Sequence, residues 1–402
     1  MSIQIQVDSG AAWVVEQLEK AGYEAYVVGG CVRDALMGIT PKDWDITTSA
    51  RPEQVKEVFP VTFDTGIEHG TVSVRYEHET YEVTTYRIDG SYTDHRRPDA
   101  VAFTSRLYED LARRDFTINA MAYHPERGLM DYFEGQRDLK IGRIRCVGKA
   151  EERFEEDALR MLRAIRFAAR LRFEIEEKTF EAIQNKAIGL AHVSRERVAD
   201  EMNKTLLCED PKGLSKIVSS GLYPYICRQF AQQEAPMLDF EAPGKVPADK
   251  PLRWAALLYP MGSEITGKVL RELKFDNATH RDAMHYVQFF EAALPQTGRD
   301  MRFFLHELGT DYYPGLCQLK KATGQNSLEE LASAWTIFEA EAQQCVTLHQ
   351  LAVSGRDLIC AGAQTGKALG HALETLLQVV METPEMNEKD KLLQYFQDKL
   401  QA

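Results

Sequence analysis

The spacing of apolar positions changes character once along the chain. From residue 11 to about 150, short runs alternate. Residues 11–21 have helical spacing and close at Gly22, and the mostly apolar run 23–28 predicts a strand that breaks at Gly29-Gly30. A short helix is expected over residues 32–37 and a strand over 43–48. A further helix should open at Arg51-Pro52, because proline suits a first helical turn. Strands at 71–76 and 81–87 complete a mixed α/β unit. Beyond about residue 150 the β pattern stops. Three- and four-residue spacing through 157–171, 197–207 and 331–350 predicts that the rest is helical. Residues 233–251, with four prolines and one glycine among largely polar residues, read as a linker.

Charge and composition narrow the function. Among 402 residues, 48 basic and 61 acidic side chains leave a net charge of −13, which excludes a generic nucleic-acid coat protein. The 44% apolar content supplies several buried cores. No apolar run reaches 18 residues and residues 1–13 carry no basic leader, so a cytosolic protein with no membrane partner is expected. The seven cysteines include no C-x-x-C pair and read as free thiols, and the ten histidines are scattered. Any metal is therefore expected to be a hard cation on carboxylates. Residues 262–269 fit most of a phosphate-loop pattern. Val269, however, stands where a hydroxyl must hold magnesium, so an inter-helix turn is expected there instead of an ATPase motif.

Candidate chemistry gathers in the first half. Asp43 and Asp45 are two apart, so in a strand both carboxylates project to one face and Trp44 to the other. Adjacent acids repel unless a cation intervenes, which makes the pair a candidate Mg²⁺ clamp; an exposed turn would carry the same two residues. Upstream, Gly29-Gly30 ends a strand where a helix begins. Backbone amides there, with Arg33 in the first turn, form a candidate triphosphate cradle. Glu82, on the strand expected at 81–87, is a candidate third carboxylate or a plain solvent-facing position.

Four segments in order carry a family resemblance: Gly29-Gly30-Cys31-Val32-Arg33-Asp34; Asp43-Trp44-Asp45-Ile46; Arg113-Arg114-Asp115-Phe116-Thr117-Ile118-Asn119-Ala120; and Glu156-Asp157-Ala158-Leu159-Arg160 with Arg163 and Arg166. They resemble the motifs of class II tRNA nucleotidyltransferases, the bacterial CCA-adding enzymes of the tRNA nucleotidyltransferase and poly(A) polymerase family. The match is dense over residues 23–207 and returns weakly at 353–358. It implies an α+β fold class: a small palm related to DNA polymerase beta over 1–150, then an all-helical neck (151–210), body (211–300) and tail (301–402). It also implies that Asp43 and Asp45 are catalytic and hold the metals, and that Gly30 and Arg33 bind triphosphate. Arg113, Arg114, Asp115 and Asn119 would lie at the ribose, although by residue type alone the two arginines read as a solvated basic face. Phe116 and Ile118 read as core. The implied partners are the acceptor arm of tRNA, CTP and ATP; monomer and homodimer both stay open.

One helix can be read for base choice. Asp157 and Arg160, three apart, are neighbours on one helical face, with Met161, Ile165 and Ala168 as the buried stripe. An acceptor beside a donor matches cytosine and adenine, and a mismatched uracil or guanine costs about 1–3 kcal/mol per unsatisfied buried group. The competing reading is a solvated ion pair between the two residues. Arg163 and Arg166 extend a basic fan, and residues 137–172 hold eleven basic against six acidic side chains, which suits phosphate. Residues 89–98, rich in charge and turn formers, are expected to form a mobile loop beside the palm. Within the resembled family such a loop accompanies addition of the final A as well as both cytidines. A poly(A) polymerase, a P-loop ATPase and a non-catalytic tRNA-binding scaffold are the rival readings.

Overall fold

The computed structural model describes residues 4–89, 101–233 and 236–400. The residues fall into two compact units: 1–236 with 268–275, and 237–267 with 276–402.

The first unit begins with helix α1 (Ser9–Lys20), whose first turn is capped by the Asp8 carboxylate accepting from the Gly10 and Ala11 N–H groups at 3.0 Å. There follow strand β1 (Ala25–Val28), helix α2 (Gly30–Leu36), β2 (Ile46–Thr48), α3 (Pro52–Val58), β3 (Thr62–Gly66), β4 (Thr71–Tyr76) and β5 (Glu79–Thr85). A ribbon of β6 (Arg87–Asp89) and β7 (Val101–Phe103) leads to α4 (Leu107–Ala112), β8 (Met121–His124), β9 (Gly128–Asp131) and α5 (Gly135–Ile141). The sheet runs β3-β4-β5-β2-β1-β8-β9. All its pairings are antiparallel except β2 with β5.

The unbroken apolar run of β1 has a packing cause. Val27 joins the core under α1 and α3 with Val14, Leu18, Ile46, Val72 and Val83. Tyr26 and Val28 face the opposite layer with Leu107 and Leu111 of α4. A strand covered on both faces does not alternate. The expected loop over residues 89–98 lies, from residue 90 on, outside the described residues.

The helical run after the head is β10 (Arg143–Ile144), α6 (Ala150–Glu156), α7 (Leu159–Leu171), β11 (Glu174–Ile175), α8 (Glu177–Lys186) and α9 (Arg195–Leu206). One expectation needs correction: β structure continues past residue 150, because β11 pairs in parallel with β10. Two residues of each strand are too short a signal to read as a period.

The second unit is helical among its described residues. One core gathers Leu252, Leu305, Leu316 and Phe338, and another gathers Leu358, Leu376, Leu377, Leu392 and Phe396. The helix expected over 331–350 is Leu328–Glu341 instead, and a separate short turn spans Leu348–Gln350. At 353–358, Ser354 caps the helix Gly355–Cys360 in a reciprocal box with Asp357. The phosphate-loop look-alike is neither loop nor inter-helix turn, since residues 262–269 are the first turns of the helix Gly262–Glu272. No described helix is long and apolar enough to cross a membrane.

Candidate active site

The two acids of the expected clamp precede the strand they were assigned to. β2 starts at Ile46, and residues 43–45 form its extended lead. The Val28 N–H nevertheless donates to the Asp45 carbonyl at 2.9 Å, so pairing with β1 continues one residue beyond β2. Trp44 packs against the sheet core while Asp43 and Asp45 stay exposed, so the alternation expected of a strand survives in the lead. The parallel register Ile46↔Val83 sets the exposed Glu82 beside Asp45. Although its residue is exposed, desolvation of the Asp45 carboxyl raises it above the ordinary aspartate range. Arg114 works against the rise, and the charges of Glu82 and Asp43 add to it. Crowded carboxylate oxygens are the donor set a hard divalent cation takes. Among the described residues, no group of three or more His, Cys, Asp or Glu side chains converges to hold a metal, and Glu82 acts on Asp45 here through its charge.

Gly29 turns the chain from β1 into α2 at φ +82°, a conformation other residues rarely adopt. A Cβ there would also come within 2.9 Å of an Arg114 guanidinium nitrogen. Arg114 is fixed from behind by Asp110, whose buried carboxylate accepts from Arg113 at 2.8 Å, Arg114 at 3.4 Å and the Thr47 hydroxyl at 3.1 Å. Burial would lift Asp110, but Arg113 and Arg114 outweigh it and hold the carboxyl below its usual range. The two arginines are therefore half-shielded and not a solvated basic face, with side-chain exposures of 15% and 20%. Arg33 differs from a free anion fork. It is 3% exposed, pairs with Asp34 at 2.7 Å and donates to Asn119 Oδ1. A Cβ on Gly30 would lie 3.6 Å from its Nη2, which places this charge beneath the glycine turn.

The base-reading segment needs the largest correction. No helix runs through Glu156, Asp157 and Arg160. α6 ends at Glu156, Asp157 is extended (φ −146°, ψ 101°), and α7 starts at Leu159. Asp157 is held by Arg197 of α9 at 2.7 Å, and its other oxygen accepts from the Leu159 N–H at 3.1 Å. Arg160 pairs with Glu156 at 2.5 Å and donates to the Arg113 carbonyl at 3.1 Å. The direct Asp157–Arg160 ion pair is absent, and the two side chains are engaged by Arg197 and Glu156 instead of lying side by side on one helical face. The basic fan is likewise neutralised: Arg163 meets Asp115 at 2.7 Å and Arg166 meets Glu201 at 2.6 Å. Met161, Ile165 and Ala168 are buried as expected, as are Phe116 and Ile118.

Sequence reasoning passed over Asp110, Arg197 and Glu201. Asp110 had a local signal, lying three and four residues before the two arginines. Arg197 and Glu201 had none, because their partners are 35 and more residues away in the chain.

A seven-stranded sheet with acids at a central strand, a glycine turn and flanking arginines defines a nucleotidyltransferase head of the polymerase-beta type. The family described as Poly A polymerase head domain matches residues 25–145, and that described as tRNA nucleotidyltransferase domain 2 matches residues 248–396. A CCA-adding enzyme of Lacticaseibacillus paracasei is 38% identical over 94% of both chains, and one of Lactobacillus helveticus is 37% identical over 96% of both. The structure of the Bacillus stearothermophilus CCA-adding enzyme in complex with CTP is similar at a TM-score of 0.82, with 32% identity over 97% of each chain. The chain belongs to the CCA-adding enzymes, a family of tRNA nucleotidyltransferases.

Proposed function

We propose that this enzyme adds and repairs the 3′-terminal CCA of tRNA from CTP and ATP without a nucleic-acid template, releasing pyrophosphate by two-metal nucleotidyl transfer in the cytoplasm. The observation that carries the reading is the acid pair Asp43 and Asp45, beside Glu82, facing Arg114 across the Gly29 turn.

Asp43 and Asp45 would hold Mg²⁺, and the chemistry it supplies there is activation of the tRNA 3′-hydroxyl and neutralisation of charge on the departing pyrophosphate. The chain's own residues do the rest. The Gly29-Gly30 turn leaves room for phosphates to approach backbone, with the buried Arg33 charge below and Arg114 alongside. Asp157 and Arg160 select the base, which requires Arg160 to exchange Glu156 for the base edge while Arg197 keeps Asp157 in place. Arg163 and Arg166 hold that helix through Asp115 and Glu201. No side-chain nucleophile is required.

The test is incubation of the protein with tRNA lacking its CCA end, Mg²⁺ and each labelled nucleotide. Two cytidines followed by one adenosine are expected at the product end. Extension by ATP alone would assign a poly(A) polymerase, and incorporation of UTP as readily as CTP would remove the base-reading argument.

A further inference from the structure

Three guanidinium groups surround one buried ring. Phe167 of α7 is 4% exposed, and its ring centroid lies 4.2 Å from Arg166 Cζ, 5.2 Å from Arg33 Cζ and 5.5 Å from Arg163 Cζ. Three like charges at such a spacing repel unless each is compensated, and each is: Arg33 by Asp34, Arg163 by Asp115, Arg166 by Glu201. The ring offers all three the negative face of its quadrupole in a desolvated setting, where the attraction is strongest. Phe116 meets the same ring edge-on at 5.8 Å and 78°, which restricts its rotation. Two of the arginines sit on the helix of Phe167 itself, whereas Arg33 comes from α2, directly beneath the Gly29-Gly30 turn.

We propose that Phe167 is a positioning residue for nucleotide binding: its ring seats the Arg33 guanidinium under the glycine turn and so couples the triphosphate grip to the helix that carries Arg160. This rests on the reading of Arg33 as part of the triphosphate pocket. In the guanidinium plane Asp34 takes Arg33 Nε and Nη2 and Asn119 takes Nη1, one N–H from each nitrogen. The ring acts on the guanidinium through a contact that an aliphatic side chain of similar size fills without attracting a cation.

The experiment uses the full chain with Phe167→Leu, Phe167→Met, Phe167→Tyr and Arg33→Ala. It measures kcat, KM for CTP, KM for tRNA lacking CCA, and inhibition by CTP against CMP in a competition format. Leu and Met are expected to raise KM for CTP about five- to tenfold. Their kcat and KM for tRNA should stay within about twofold of the parent and CMP inhibition should be unchanged, because CMP carries no β- and γ-phosphates. Tyrosine, which keeps the π-face, should restore the parental KM. Equal losses for CTP and CMP, a fall in kcat alone, or parental kinetics in both Leu and Met would overturn the proposal. The two levels separate cleanly. If Arg33→Ala leaves KM for CTP unchanged, the triphosphate assignment of Arg33 fails and takes the proposal with it. If Arg33→Ala raises that KM while the Leu and Met variants do not, only the role of Phe167 is lost.

Discussion

Arg163 donates twice to one carboxylate oxygen of Asp115, from Nε at 2.9 Å and Nη2 at 2.7 Å, and so ties α7 to the end of the Arg113-Arg114-Asp115 segment. Asp115 also accepts from Asn119, which accepts in turn from Arg33. One buried carboxylate therefore connects α7 to the charge under the glycine turn.

Removing Arg163 strands that carboxylate. Arg163→Ala is expected to cost about 3 kcal/mol of stability, because a buried acid loses its partner, and Arg163→Lys should recover only part of it, since lysine cannot donate from two nitrogens in one plane. Denaturant unfolding of the three proteins measures both effects.

The same pair sets an acid limit. Burial alone would raise Asp115, but Arg163, Arg160 and Asn119 together outweigh it and the carboxyl falls to about 2. A depressed folded value means stability is fully present above the ordinary aspartate range and lost as pH falls through about 4 toward 2. Thermal melts across that window should show the loss, and Asp115→Asn, less stable at neutral pH, should show a smaller slope there.

Asp45 behaves in the opposite sense. Its raised carboxyl holds a proton to higher pH in the metal-free site, so transfer at subsaturating Mg²⁺, which must displace that proton, should rise as pH rises through the Asp45 titration. Glu82→Gln removes one of the like charges and should move that rise to lower pH in a plot of log kcat/KM. A profile unmoved by Glu82→Gln would detach Glu82 from the site.

Asp45→Asn separates chemistry from folding. Transfer should fall by more than about 100-fold, while the melting temperature stays level or increases, because a charge crowded by Asp43 and Glu82 has been removed. A marked loss of melting temperature would make Asp45 a structural residue.

Gly29→Ala meets both a positive φ and the Arg114 guanidinium at 2.9 Å. A destabilisation of about 1–3 kcal/mol is expected, with an increased KM for CTP, since either the turn or Arg114 must move. For the base reader, Arg160→Ala should lose discrimination between CTP and UTP more than affinity for tRNA. A loss confined to tRNA affinity would restrict α7 to gripping phosphate.

Local rules reached the head well, because its elements declare themselves over a few residues. The two glycines at the end of an apolar run, the acids two apart around Trp44, and Ile165 and Ala168 on a helical stripe are each decided by backbone sterics or by a period. The periodic rules also set the helical character of the remainder, while the order of the four motif segments was legible only as a family resemblance. The tertiary structure decided which charges meet. Asp157 and Arg160 are neighbours by spacing, yet a helix break at Asp157 gives one to Arg197 and the other to Glu156. Arg163 and Arg166 read as a basic fan and are instead matched to Asp115 and Glu201. Desolvating an unpaired charge costs more than any local preference supplies, so Arg163, Arg166 and Arg197 took acids that the fold brought from distant parts of the chain, a choice no local spacing encodes, whereas Arg33, Arg113 and Arg160 found theirs within four residues.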